Sequence, residues 1–205
     1  MTPKIKICGL TRDEDVDYVN TLQPDYIGMI FTPKSRRFVS PERAVALKSR
    51  LKPEILSVGV FVDAPLNEIM ELVNLQTINL VQLHGSEDET YIKALRANID
   101  IPVIQAFSIN SENDLKRAET SIADYVLLDH GSGGTGETFN WHMAQHFERP
   151  FFLAGGLDSC NVSQAIALLA PFAVDVSSGV EIGGVKDFGK MREFVFQVKE
   201  CKNAL

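Results

Sequence analysis

Cysteine is scarce in this chain, with three residues in 205, at positions 8, 160 and 201. They are odd in number and far apart, with no CxxC pair and no Cys/His ligand spacing. That excludes a disulfide framework and gives no basis for a metal centre. Long apolar runs are missing too. The longest, AIALLAPFAV, is too short to cross a bilayer and contains Pro171. MTPKIKICGL begins basic but lacks the uninterrupted apolar stretch of a secretory signal. A reduced, cytoplasmic setting with no membrane partner is the expectation. Positive charge is also in deficit, 20 Lys and Arg against 27 Asp and Glu, for a net charge of −7. Sequence-independent nucleic-acid binding needs a basic surface, so that partner class is excluded as well. A small anionic substrate is not, because a local field in a cleft can oppose the global sign.

What the chain does contain is a slow alternation. Runs rich in valine and isoleucine (KIKIC, DYIGMIF, LSVGVFV, INLVQL, PVIQAF, DYVLLD, FFLAGG, FAVDVSS) alternate with amphipathic stretches such as RDEDVDYVNTL, PLNEIMELVN and KDFGKMREFVFQVKE. Ser40-Pro41 and Asp158-Ser159 have the chemistry of helix starts. About eight strand–helix units, with no linker and no low-complexity tract, call for a parallel sheet with helices outside. Eight units favour closure, so the expected fold is α/β, a (β/α)8 TIM barrel occupying residues 1–205 as a single domain. The absence of GxGxxG after the first strand weakens the dinucleotide-binding alternative.

In such a barrel, side chains alternate between the interior and the helix layer, and chemistry sits at the C-terminal ends of the strands. In KIKIC the aliphatic Ile5 and Ile7 belong against helices, which turns Lys6 and Cys8 inward. By the same alternation Gln82 and His84, Gln105, Asp129, and Asp175 with Ser177 face inward. A centre filled only for packing would be aliphatic, whereas here polar groups collect at one rim. Two readings stay open for individual residues. Cys8 is either a small buried hydrophobe or a reactive thiol. Lys6 and Asp175, on the first and last strands, either hold the barrel shut or serve the site.

Three glycine loops carry further signal. GSGGTGETFNW spaces its residues like a phosphate loop, but Glu137 stands where that loop needs lysine, which argues against a nucleotide. It reads as a flap anchored by Phe139 and Trp141, or as a plain connection. LAGGLDSCNV and DVSSGVEIGG follow the seventh and eighth strands, where barrels frequently build a phosphate site. Gly155, Gly156, Ser178 and Gly179 are its candidate residues. Lys34, Arg36 and Arg37, after the second strand, form either a solvated basic face or a guanidinium fork for a carboxylate.

With these pieces assembled, the chain resembles the phosphoribosylanthranilate isomerase family, (β/α)8 enzymes of tryptophan biosynthesis. The resemblance spans essentially the whole length. It rests on KICGLTR, KSRRFVSPE, VGVFVD, VQLHG, LLD, GGTGETFNW, LAGGL and PFAVDVSSGVE in that order. It implies an Amadori rearrangement, an aldose–ketose isomerisation with no cofactor and no metal. Cys8 would be the general base, Asp129 the general acid, and Arg37 the contact for the anthranilate carboxylate. Lys6, His84 and Asp175 would serve the substrate, and the two glycine loops would hold its phosphate. The expected partner is this small molecule alone, with the chain a monomer or homodimer. Glu137, Asn140, Phe38 and the missing proline in VEIGGVKD depart from the common family pattern, at the flap and rim. Two rivals remain at this point: another sugar-phosphate isomerase or epimerase on the same barrel, and a catalytically silent barrel that binds a phosphometabolite.

Overall fold

The computed structural model describes residues 3–130 and 138–201. The eight expected strands form β1 (Lys4–Cys8), β2 (Tyr26–Ile30), β3 (Leu56–Phe61), β4 (Leu80–Leu83), β5 (Val103–Ser108), β6 (Tyr125–Asp129), β7 (Phe151–Leu153) and β8 (Ala173–Val176). All are parallel to their neighbours, and β1 pairs with both β2 and β8, so the sheet closes. Around it lie α1 (Asp13–Leu22), α2 (Pro41–Arg50), α3 (Leu66–Asn74), α4 (Glu89–Arg96), α5 (Glu112–Glu119), α6 (Val162–Leu169) and α7 (Phe188–Glu200). Between β6 and β7 the described residues carry only a single 3₁₀ turn, Trp141–Ala144. There Arg149 reaches across, donating to the carbonyls of Ser121 and Ala123 and so tying the thin side of the ring to the α5–β6 turn. A short antiparallel hairpin, β9 (Glu181–Ile182) and β10 (Val185–Lys186), follows β8.

Two cores result from the alternation. Tyr26, Val58, Leu80, Ile104, Leu127, Phe152 and Ala173 fill the barrel's interior, while Ile5, Ile7, Val81, Leu83, Val126 and Val174 pack against the helices. Gln105 does not join the interior. Its ladder partner is Leu83, an outer-core residue, and its amide bonds Ser121 Oγ and the Glu87 carbonyl outside the barrel. In VIQAFS both faces are largely apolar, so Ile104 and Ala106 take the inside and the polar residue is left facing the helices.

Helix entry follows the capping chemistry in one case and shifts in the other. Ser40 Oγ accepts the Arg43 N–H at 3.2 Å, with Pro41 at the first helical position. Asp158, by contrast, closes a turn by accepting the N–H groups of Cys160 and Asn161, and α6 begins only at Val162.

Closure sets one costly demand. The β1–β8 register places Lys6 beside Asp175, and Lys6 is fully buried, with Nζ 2.9 Å from Asp175 Oδ2. Burial works against the ammonium, but the charge of Asp175, and then Cys8, outweighs it and holds the Lys6 pKa above its ordinary value. Removing one partner of a buried pair leaves a charge uncompensated. The two removals are not equal here, because Asp175 borders a cavity and Lys6 does not. Asp175→Ala is expected to cost about 3–5 kcal/mol in urea unfolding. Lys6→Met, which leaves a carboxylate that water can reach, is expected to cost less.

Candidate active site

At the C-terminal ends of the strands lies a cavity of about 440 Å³. Cys8 from β1, Asp129 from β6 and Asp175 from β8 all border it, as do Gln82 and His84 at the end of β4. The loop after β2 adds Lys34, Arg36 and Arg37, and the loop after β7 adds Gly155 and Gly156. Ser177 and Ser178 border it after β8. The thiol and the acid therefore share one mouth. Lys6 is not among the lining residues; it lies behind Asp175 and Cys8 and acts on the site through them, so it is not placed to touch a ligand. Gly179 does not line the cavity either. A Cβ there would fall 2.0 Å from the Leu157 carbonyl, so its glycine serves the packing of the two glycine loops on each other.

Two other glycines shape the cavity directly. Gly28 pairs with Cys8 in the β1–β2 ladder, and a Cβ at Gly28 would sit 2.6 Å from the Cys8 sulfur. The missing side chain is the sulfur's berth. Gly155, with φ +84°, passes so close to β6 that a Cβ would lie 2.8 Å from Asp129 Oδ1. No sequence motif marks Gly28, which reads as an ordinary weak point in a strand.

The acid is held from two sides. Asp129 Oδ1 accepts the His130 N–H at 2.7 Å, and Oδ2 lies 3.4 Å from His84 Nε2. Behind the ring, Gln82 Nε2 is 2.9 Å from His84 Nδ1.

The family model described as N-(5'phosphoribosyl)anthranilate (PRA) isomerase matches residues 5–197. The chain belongs to that family. An N-(5'-phosphoribosyl)anthranilate isomerase from Endomicrobium trichonymphae is 46% identical over 197 residues, covering 94% of this chain and 96% of the relative. The crystal structure of phosphoribosyl anthranilate isomerase from Thermotoga maritima superposes with a TM-score of 0.90 at 36% identity, covering 97% of this chain and 99% of that one. A further PRA isomerase structure holds reduced 1-(o-carboxyphenylamino)-1-deoxyribulose 5-phosphate, with a TM-score of 0.86 and 35% identity over 97% of this chain and 99% of that one.

Among PRA isomerase features anticipated from the sequence, the segment 131–137 with Glu137 lies outside the described residues. Its neighbours are seated: Phe139 is buried in the outer core, Trp141 packs against that core, and Asn140 Oδ1 accepts the His142 N–H. Phe38 is 40% exposed and bridges to Ile30. Arg37 does reach the cavity, but not as a lone cation. Its Nε and Nη2 donate to the two oxygens of Glu181 at 2.6 and 2.7 Å, and Lys186 Nζ donates to Glu181 Oε1 at 2.7 Å. Sequence reasoning missed both Glu181 and Lys186.

A lysine two residues from Cys8 on the same strand face would be expected to favour the thiolate. The structure corrects this. Burial pushes the thiol pKa up; Lys6 opposes that and does not win, while Asp175 adds to the rise. The reason is geometric, since the ammonium is already matched by Asp175. A raised pKa keeps the thiol neutral to higher pH. In a Cys160→Ser/Cys201→Ser background, iodoacetamide should modify Cys8 slowly at neutral pH. The rate should climb through a midpoint above the ordinary thiol value of about 8.5.

Proposed function

We propose that this chain converts N-(5'-phosphoribosyl)anthranilate into 1-(2-carboxyphenylamino)-1-deoxyribulose 5-phosphate, the isomerase step of tryptophan biosynthesis, by general acid–base catalysis with Cys8 and Asp129. The observation that carries the reading is that these two side chains, from β1 and β6, border one cavity between a basic loop and two glycine loops.

The chemistry follows from what each group can hold. Asp129, protonated, gives its proton to the ribose ring oxygen; the ring opens and the substrate's nitrogen becomes an iminium. His84 Nε2 stands 3.4 Å from Asp129 Oδ2, beside the carboxyl group that gives up the proton. Cys8, having lost its own proton to solvent, then removes as thiolate the proton from C2 of the sugar, the electrons flow to the iminium, and the enolamine tautomerises to the ketone. The raised pKa of Cys8 in the free protein is consistent with this order. The thiol ionises at a cost, but once ionised it is a strong base, and the neighbouring iminium cation supplies the positive charge that Lys6 does not.

The ends of the substrate are both anionic, and the cavity meets each with different chemistry. Gly155, Gly156 and Ser178 line the side suited to phosphate, where backbone N–H groups of glycine turns approach closely. Arg37 lies on the side suited to a planar carboxylate. The cavity wall is thus locally basic although the chain as a whole is acidic.

The direct assay generates phosphoribosylanthranilate in situ and follows the loss of its fluorescence with and without the protein. Cys8→Ser and Asp129→Asn should each lower kcat by about 10² or more with KM largely retained, the range for loss of a general acid or base. Arg37→Ala should act on KM instead. Near-normal turnover in either of the first two variants would remove that residue from the mechanism.

A further inference from the structure

The Arg37 guanidinium has five N–H donors arranged along three edges. Glu181 occupies one side edge, Nε with Nη2, in a two-point contact at 2.6 and 2.7 Å. Nη1 has no protein partner among the described residues, so the end edge, Nη1 with the second Nη2 hydrogen, is unspent. Arg37 borders the cavity, and Glu181 does not.

Glu181 is itself fixed. Lys186, 3% exposed, donates to Glu181 Oε1 at 2.7 Å and to the Ser177 carbonyl at 3.0 Å. The two residues face each other across the hairpin, in the register Lys186 with Glu181. Arg12 Nη2 holds the Lys186 carbonyl at 2.8 Å from the other side. The arginine's shaft also packs across the turn after β1, where a Cβ at Gly9 would fall 2.4 Å from Arg37 Cδ. The charges also balance in a telling way. Glu181 alone would neutralise Arg37 and leave nothing for a second carboxylate; with Lys186 added, the cluster keeps one net positive charge. Glu181 stays ionised here. Burial disfavours its charge, but bonds from Arg37 and Lys186 win and hold the carboxyl below its usual range.

We propose that Glu181, anchored by Lys186, is a positioning residue that turns the end edge of Arg37 toward the aromatic carboxylate of the substrate. The inference rests on the isomerase reading given above and names residues outside the acid–base pair. It also makes a prediction of definite sign. If Glu181 only diluted the field of Arg37, removing its charge would strengthen carboxylate binding. If it aims the fork, removing it weakens binding despite the gain in positive potential.

The test compares two substrates, N-(5-phosphoribosyl)anthranilate and the carboxyl-free N-(5-phosphoribosyl)aniline, across wild type, Glu181→Gln and Glu181→Ala. For the anthranilate compound KM should rise about tenfold, the loss expected of a charge-assisted contact, with kcat changed little. The inhibition constant of the reduced product analogue should rise in parallel. For the aniline compound kcat/KM should change far less, so the wild-type preference for the carboxylated substrate shrinks. An unchanged or lowered KM for the anthranilate compound overturns the proposal. So does an equal loss on both substrates, which is what a purely structural role would give. Should Glu181→Ala not fold, the near-isosteric Glu181→Gln carries the comparison. Wild-type protein that folds and leaves phosphoribosylanthranilate unconverted overturns the isomerase reading itself, and that result is independent of any variant.

Discussion

The seam between β1 and β8 is held by one fully buried ammonium and the carboxylate beside it. An ammonium removed from water is tolerable only with a close counter-charge, and the Lys6–Asp175 register supplies it where the sheet must close. The pair was open to two readings, a clasp for the barrel or part of a site. It divides the tasks between its two oxygens. Oδ2 meets Lys6, while Oδ1 is buried, has no hydrogen-bond partner among the described residues, and belongs to a residue that borders the cavity. A clasp alone would gain from satisfying both oxygens, since an unpaired buried acceptor costs about 1–3 kcal/mol.

That clasp also decides the state of the thiol two residues along. A lysine beside a cysteine favours the thiolate only to the extent that its charge is unspent. Here burial raises the Cys8 pKa, Lys6 opposes the rise without prevailing, and Asp175, which pairs with that lysine, adds to it. For the base role proposed for Cys8, the consequence is a trade between abundance and strength. A low-pKa thiolate is plentiful and a weak base; a high-pKa thiolate is scarce and pulls harder on a carbon-bound proton. A base that stays protonated until a cation forms next to it is also protected from alkylation and oxidation between turnovers.

Period-two alternation made the fold, and the meeting of Cys8 and Asp129 at one cavity, readable, but alternation divides a strand into two faces without naming the inner one. In β1 the isoleucines named it, and Lys6 and Cys8 were placed correctly. In β5 both faces are mostly apolar, and polarity pointed Gln105 the wrong way. Gly28 was unreadable for a different reason: its function is an absence, and only the position of the sulfur opposite gives that absence meaning. Glu181 and Lys186 were missed although a signal existed. EIGGVK is an alternating run broken by two glycines, the pattern of a two-residue hairpin, and Gly183 and Gly184 do take φ of +60° and +83°. Read that way, Glu181 and Lys186 fall opposite each other from sequence alone, and the glycine pair provides the turn in a segment that lacks the family's usual proline.

The hairpin matters because of where the guanidinium starts. Cys8, Asp129 and Asp175 project from strands, whose ladders fix them well; Arg37 projects from a loop, and a loop residue with a long side chain is the least defined member of the set. Lys186 donates to the Ser177 carbonyl, and Ser177 Oγ donates to the Cys8 carbonyl at 3.1 Å. Through Glu181 the same lysine reaches Arg37. The fork is thereby referenced to the strand ends that carry the sulfur, by way of a two-residue turn. Errors of about 1 Å in the placement of a reacting group can cost orders of magnitude in rate. A loop arginine tied back to β1 and β8 has its position set by the barrel rather than by its own loop.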